Sequence, residues 1–348
     1  MTNNQPTRIP LAVSPPLVDA LGRIHTNLRI SVTDRCNIRC FYCMPAENVT
    51  FRPREELLTF EEIERFVRVA AGLGINKVRL TGGEPLVRSE LPGLVSRLAS
   101  VPGIEDLALT TNGLLLSEHA AHLKAAGLDR LNISLDTLNE ETFQQISRRP
   151  GLVRVLAGIF AAQQAGFKKI RLNAIAIRDL TEHEIVPLAR FARKHDLELR
   201  FIEFMPLDAD RVWHEKNVLS GKVMRKILEQ EICPLKTTRR EDLSQPAIDY
   251  QFVDGKGKIG FINPVSEPFC NHCNRLRLTA EGKIHNCLFS SAEWDARALL
   301  RDKLMDDNRT DEELCQLLRE CVGAKQPAHG IGEINFQQPP RAMYQIGG

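Results

Sequence analysis

Cys36, Cys40 and Cys43 lie in the stretch 31–45, Ser-Val-Thr-Asp-Arg-Cys-Asn-Ile-Arg-Cys-Phe-Tyr-Cys-Met-Pro, at spacing C-x3-C-x2-C. Three thiolates on one short loop can hold three irons of a cubane iron–sulfur cluster, whose full protein complement is four cysteines. The next cysteine along the chain is Cys233, so the fourth iron has no nearby side chain to take. An open coordination position distinguishes a reactive metal centre from a closed structural one. A zinc loop would want a fourth ligand and favours paired C-x2-C units, so the spacing favours the cluster.

A second trio, Cys270, Cys273 and Cys287, has spacing C-x2-C-x13-C. His272 and His285 are close by, so a Cys3His zinc site and a second open cluster fit this spacing equally. Arg275 and Arg277 alternate with Leu276 and Leu278 and share one face of a strand. Two cations beside an open metal position suit an anionic ligand; the plain alternative is a solvated edge strand. Between the trios, Thr81-Gly-Gly-Glu-Pro85 follows an apolar run. Gly82 and Gly83 allow a ligand to approach the backbone closely, and the Glu84 carboxylate can stabilise a cation.

These residues need a frame. Short β-branched runs at 27–32, 77–80, 106–109, 130–133, 169–175 and 198–202 alternate with amphipathic helical patterns. Phe60, Ile63, Phe66, Val67 and Ala70 line one such face, with Thr59 and Glu62 as a capping box; Thr181 with Glu184 and Thr310 with Glu313 read the same way. Six strands alternating with helices predict a parallel α/β sheet with right-handed crossovers. Polar groups recur at the strand C-termini, including Thr110 and Ser134, where a parallel barrel gathers its site. After Met205 the rhythm stops. A hairpin over 250–262 opens a second, smaller α+β region, and the tail 326–348 reads as a mobile coil.

The 348 residues suffice for two domains, divided here into an arm at 1–22, a main domain at 23–234 and a C-terminal domain at 235–348. Net charge is +2, too small for a general nucleic-acid binder. No apolar run reaches the ~18 residues that span a membrane. Two clusters of thiols imply a reducing compartment, the cytoplasm.

The first cysteine loop and the segment 81–85 resemble the radical S-adenosylmethionine superfamily. Together with 110–113, 132–136, 204–206, 270–279 and the final Gly347-Gly348, they resemble the GTP 3′,8-cyclase family within it, over about residues 23–348. The resemblance implies a partial (βα)6 barrel and two [4Fe-4S] clusters, on Cys36, Cys40 and Cys43 and on Cys270, Cys273 and Cys287. It implies S-adenosyl-L-methionine held by Tyr42, Gly83, Glu84, Ser134 and Met205. GTP would be met by Arg29, Arg79, Thr110, Arg171, Arg275, Leu276 and Arg277, with Lys77 and Arg200 near. At 171 the family usually has lysine, so a planar fork replaces a point charge. Further implications are a flavodoxin- or ferredoxin-type electron donor, a downstream cyclic pyranopterin monophosphate synthase and a homodimer. No G-x-x-x-x-G-K-[ST] loop occurs, so a bound nucleotide is a substrate rather than an energy source.

Overall fold

The computed structural model describes residues 15–240 and 242–347. Six strands, β1 (Asn27–Ser31), β2 (Lys77–Thr81), β3 (Asp106–Thr111), β4 (Arg130–Ser134), β5 (Ile170–Ala176) and β6 (Glu198–Glu203), run parallel in sequence order. The helices α1 (Phe60–Gly72), α2 (Leu91–Ala99), α3 (Leu116–Ala125), α4 (Glu140–Ser147), α5 (Leu152–Gln164) and α6 (Ile185–Lys194) connect them. Each strand is two-faced. In β1, Leu28 and Ile30 are fully buried in the same apolar cluster as Ile63, Phe66 and Val67 of α1, while Asn27 and Arg29 line an interior cavity. Period-2 alternation separates the two sets, as the pleat requires.

The sheet stays open. After α7 (Gly221–Glu231) the chain adds β7 (Leu235–Thr237), β8 (Ile248–Phe252) and β9 (Lys258–Ile262) beyond β6; it then crosses to add β10 (Arg275–Leu278), β11 (Lys283–His285) and β12 (Trp294–Asp295) beyond β1. The segment expected as a separate C-terminal domain therefore extends both edges of one sheet, twelve strands long among the described residues. β10 pairs with β1 in parallel, so Arg275 and Arg277 stand on an internal strand rather than a solvated edge.

The chain continues through α8 (Ala296–Leu300), α9 (Asp307–Gly323) and α10 (Met343–Ile346). The Thr59–Glu62 capping box is present. The other two expected caps are not. Thr181 Oγ1 bonds Ile177 N–H and Ile175 C=O, while the buried Glu184 accepts from the Thr137 hydroxyl (2.7 Å) and Leu138 N–H (3.0 Å). Asp306, not Thr310, caps α9, accepting from Arg309 N–H at 2.9 Å. In both places a tertiary partner or an earlier acidic residue took the role that local spacing suggested. Of the N-terminal arm, residues 1–14 lie outside the described residues; beyond them Leu17 is fully buried and bonded to Leu73.

Candidate active site

The first cysteine loop leaves β1 and is gripped by the residues after β2. Gly83 N–H donates to Thr33 O (2.7 Å) and Glu84 N–H to Arg35 O (2.8 Å). A Cβ on Gly83 would meet the Arg35 carbonyl oxygen and lie 2.7 Å from its carbon; one on Gly82 would lie 2.5 Å from Thr33 O. The glycines thus serve a backbone-to-backbone approach, and the near partner is the cysteine loop itself. Both still line the cavity. Glu84 does not. It is 1% exposed and braces β2 to β3, its carboxylate accepting from Leu86 N–H (3.0 Å), the Thr111 hydroxyl (2.7 Å) and Asn112 N–H (2.7 Å). The structure therefore places Glu84 as support for the loop, away from a cation in the cavity.

Cys36, Cys40 and Cys43 line the cavity wall. The Asn112 amide donates to Cys36 Sγ at 3.8 Å and to Asn37 Oδ1 at 2.7 Å. Burial pushes all three thiols up, Cys36 to about 11, and neighbouring thiolates add to the shift at Cys40 and Cys43. Thiolates so enclosed call for a metal charge beside them, and the donor set fits an iron–sulfur cluster. Among the described residues no three His, Cys, Asp or Glu side chains converge closely enough to hold one metal ion; cubane ligands need not, because each binds its own iron.

Beside this loop, Tyr42, Ser134 and Met205 also line the cavity. The Tyr42 hydroxyl donates to Asp136 (2.6 Å), whose other oxygen accepts from Ile175 N–H (2.8 Å). Burial raises the Asp136 carboxyl to about 6 and Glu84 to about 7. Both are raised relative to the unfolded chain. Their contribution to stability is therefore complete below about pH 4 and lost as pH rises through 6 and 7. Asp136→Asn keeps the bond from Ile175 N–H and reverses the other, its amide donating to the Tyr42 oxygen; it is expected to flatten the pH dependence of the apo-protein melting temperature between pH 4 and 6. An unchanged slope would show that Asp136 is ionised throughout.

Below the loop, rows of inward-facing side chains cross the strands. Arg277, Arg29 and Arg79 are direct register partners, and Arg275, Asn27 and Lys77 form the neighbouring row. Thr110, Arg130, Arg171 and Arg200 continue around the cavity, which measures about 1420 Å³. Four of these cations are tied to carboxylates: Lys77 to Asp242 (2.6 Å), Arg130 to Asp106, Arg171 to Glu198 (2.6 Å) and Arg200 to Asp249 (3.2 Å). Among the described residues Arg29, Arg79, Arg275 and Arg277 form no ion pair with a carboxylate. Burial, then mutual repulsion, drives Arg29 and Arg79 well below the usual arginine range and Arg277 to about 10. Clustered, partly buried cations that outnumber the carboxylates around them form a preorganised site for a polyanion. Leu276 is fully buried on the opposite face and does not line the cavity.

The second trio sits at the other end of the same strands. Cys270 and Cys273 precede β10, and Cys287 follows the antiparallel β11. The first trio follows β1, so the two are separated by the five residues of that strand, roughly 17 Å at strand rise. Phe269, Leu288, Arg275 and Arg277 line the cavity between them, whereas the second trio stands behind this wall. Burial would raise the Cys273 thiol, but Lys325, then Arg275 and Arg277, bring it down to about 7. That donor set also fits a cluster. Of the zinc alternatives, His272 is exposed and His285 Nε2 faces Glu293 at 3.5 Å.

Residues 326–342 carry no helix or strand, as composition suggested, but the end of the tail is seated. Tyr344 and Ile346 are buried, Met343 and Tyr344 line the cavity, and the Gly347 carbonyl accepts from Arg277. A Cβ on Gly347 would meet the Thr81 hydroxyl and lie 3.3 Å from Ser31 Cβ. Two apolar anchors among the glycines suffice to seat the segment; Gly348 lies outside the described residues.

Sequence reasoning missed Arg130, Asn112 and Lys325. For Arg130 a signal existed: polar residues at every second position of a strand covered on its outer face must point inward, as Arg130, Asn132 and Ser134 do.

Residues 30–192 match the Radical SAM superfamily and residues 197–331 match Molybdenum Cofactor Synthesis C. The chain is 53% identical over 339 residues to the GTP 3′,8-cyclase of Rhodopirellula baltica, covering 95% of this chain and 92% of that one. It is 42% identical over 330 residues to the GTP 3′,8-cyclase of Moorella thermoacetica, covering 95% and 99%. It is 42% identical to molybdenum cofactor biosynthesis protein 1 of Drosophila melanogaster over 93% of this chain and 56% of that protein. Among solved structures, Streptococcus suis SuiB bound to S-adenosylmethionine aligns with a TM-score of 0.62 at 16% identity, covering 91% of this chain and 76% of that one. That likeness shows a shared fold.

Proposed function

The chain belongs to the radical S-adenosylmethionine superfamily and, within it, to the GTP 3′,8-cyclase family, and from that membership we propose that it converts GTP to (8S)-3′,8-cyclo-7,8-dihydroguanosine 5′-triphosphate, the first step of molybdenum cofactor biosynthesis. The supporting observation is that four arginines without carboxylate partners among the described residues line the cavity, on strands that run from the first cysteine trio at one end to the second behind the wall at the other. GTP carries about four negative charges, which match clustered, partly desolvated guanidinium groups.

In this reading Cys36, Cys40 and Cys43 hold one [4Fe-4S] cluster, with S-adenosylmethionine against Tyr42, Gly83, Ser134 and Met205. Cys270, Cys273 and Cys287 would hold a second cluster at the far end of the same strands, on the side of the cavity where the guanine would lie. When bound, the first cluster and S-adenosylmethionine supply the one-electron chemistry that a ribose C–H bond requires and that no side chain supplies near neutral pH. The chain does the rest. Arg29, Arg79, Arg275 and Arg277 fix the triphosphate, so that the ribose and base are held in a reactive geometry. Arg171 and Arg200 continue the cationic wall around the cavity, and Thr110 faces the nucleotide. Tyr344 and the seated tail keep water from the cavity mouth. The overall change joins C3′ of the ribose to C8 of guanine, a lyase reaction.

The electron donor of flavodoxin or ferredoxin type, the downstream synthase and the homodimer rest on the family alone. A cytoplasmic setting follows from six thiols that must stay reduced. Among the described residues no helix is long and apolar enough to cross a membrane.

Anaerobic incubation with S-adenosylmethionine, a reductant and GTP deuterated at C3′ tests the proposal. Deuterium should appear in 5′-deoxyadenosine; its absence, with cyclised product formed, would place hydrogen removal elsewhere. Cys273→Ala should retain some S-adenosylmethionine cleavage and lose cyclised product, and unchanged product yield would remove the second trio from the reaction. Arg277→Ala should weaken GTP binding by about 1.5–3 kcal/mol, read by calorimetry, as expected for a lost charge-assisted bond. Unaltered affinity would reassign Arg277 to holding the tail.

A further inference from the structure

Lys325 lies just beyond α9 and is 5% exposed. Its ammonium has three N–H bonds and finds three partners: Asn286 O (2.7 Å), Arg275 O (3.0 Å) and Cys273 Sγ (3.6 Å). The group is saturated. Every partner lies on a segment that carries the second trio. One is a cysteine sulfur, one follows Cys273 by two residues, and one immediately precedes Cys287.

The surroundings hold the ammonium in place. Asn286 donates its side-chain amide to Cys321 O (2.8 Å), and Lys325 N–H donates to Val322 O (3.0 Å), which ties the end of α9 to the cysteine segment. On the other flank Arg23 donates to Gln326 O (3.0 Å), Pro327 O (3.3 Å) and Cys270 O (2.8 Å), and is itself paired with Asp19 (2.6 Å). The residues that follow Lys325 and the first cysteine of the trio are therefore pinned by one guanidinium.

Among the described residues Lys325 forms no ion pair with a carboxylate. A buried ammonium without a counter-charge is costly, and the negative groups around it are the thiolates of Cys273 and Cys287. A [4Fe-4S] core on three thiolates carries net negative charge. Hydrogen bonds to cluster sulfurs and nearby cations favour the reduced, more negative core and so raise its reduction potential.

We propose that Lys325 is the positioning residue and counter-ion of the second cluster, its N–H···S bond to Cys273 and its charge together holding that cluster's reduction potential up. The proposal rests on the reading that Cys270, Cys273 and Cys287 hold a cluster, and the test separates the two. The starting protein carries Cys36→Ala, Cys40→Ala and Cys43→Ala together, so that only the second trio can bind iron. Absence of iron and acid-labile sulfide from it would defeat the two-cluster reading, and this proposal with it.

If a cluster is present, adding Lys325→Met should lower its midpoint potential in a spectroscopically monitored redox titration, and Lys325→Arg should restore most of the shift. In protein labelled with 15N-lysine, the reduced cluster should show a 15N coupling by pulsed electron paramagnetic resonance that vanishes in Lys325→Met. Loss of iron in Lys325→Met with retention in Lys325→Arg would also support a counter-ion. An unchanged potential with full iron content, no 15N coupling, or equal iron loss in both variants would overturn the proposal, the last by reducing Lys325 to a packing role.

Discussion

Cys43→Ala is expected to abolish reductive cleavage of S-adenosylmethionine, a loss well beyond the roughly 10–100-fold that changes to the residues supporting metal ligands produce. Cys43 is one of three thiols on the loop, and the Tyr344 backbone N–H that bonds its sulfur cannot serve as a metal ligand in its place. Alanine leaves an apolar side chain where a thiolate must compensate a metal charge, and the two remaining sulfurs cannot hold three irons. Nucleotide affinity should stay near that of the unmodified protein, because Arg29, Arg79, Arg275 and Arg277 lie further down the strands. Anaerobic assays for 5′-deoxyadenosine, alongside GTP titration, check both halves. Continued 5′-deoxyadenosine formation would mean that the first trio is not where cleavage occurs.

The second large effect is expected from a methyl group. Gly83→Ala puts a Cβ against the carbonyl of Arg35, the residue before Cys36, with Asp34 O at 2.8 Å. The obstacles are backbone atoms, so no side chain can turn aside, and the cysteine loop itself must move. Strain of this kind costs about 1–3 kcal/mol. A displacement of about 1 Å at a reacting centre lowers rates on the order of 100-fold. Cleavage of S-adenosylmethionine should fall by at least that factor while GTP binding and overall fold persist. Gly93→Ala is the matched control: no atom stands within 4 Å of its Cβ, and it lies on an exposed helical position. That change should be neutral or stabilise by up to about 1 kcal/mol. Equal loss of activity in both variants would show that the Gly83 effect is not the loop clash.

Removal of Cys43 could be argued from spacing alone, because thiolate chemistry depends on residue type. The Gly83 effect could not. Sequence suggested that the glycine pair opened the backbone to a ligand; the structure shows that the intimate partner is the loop bearing Cys36, forty-odd residues away. Glu84 shows the same shift. Its carboxylate looked available to a cation, yet Thr111, Asn112 and Leu86 take up its oxygens.

The sequence by itself determined the strand and helix alternation, both cysteine trios, the Gly-Gly-Glu turn and, by resemblance, the family. These depend on local period, residue chemistry and short spacing, which a chain carries in one dimension. Tertiary structure alone decided the rest. Pairing of β10 with β1 made two apparent edge arginines internal and put the trios at opposite ends of one strand. Alternate pointing of side chains around the open sheet assembled cations from several strands into one cavity and left four of them without carboxylate partners among the described residues. Long-range contacts seated the glycine-rich tail on Arg277 and Lys325 on Cys273. The physical reason is that hydrogen-bond and charge partners in this site lie tens to hundreds of residues apart, and only the register of the folded sheet says which groups meet.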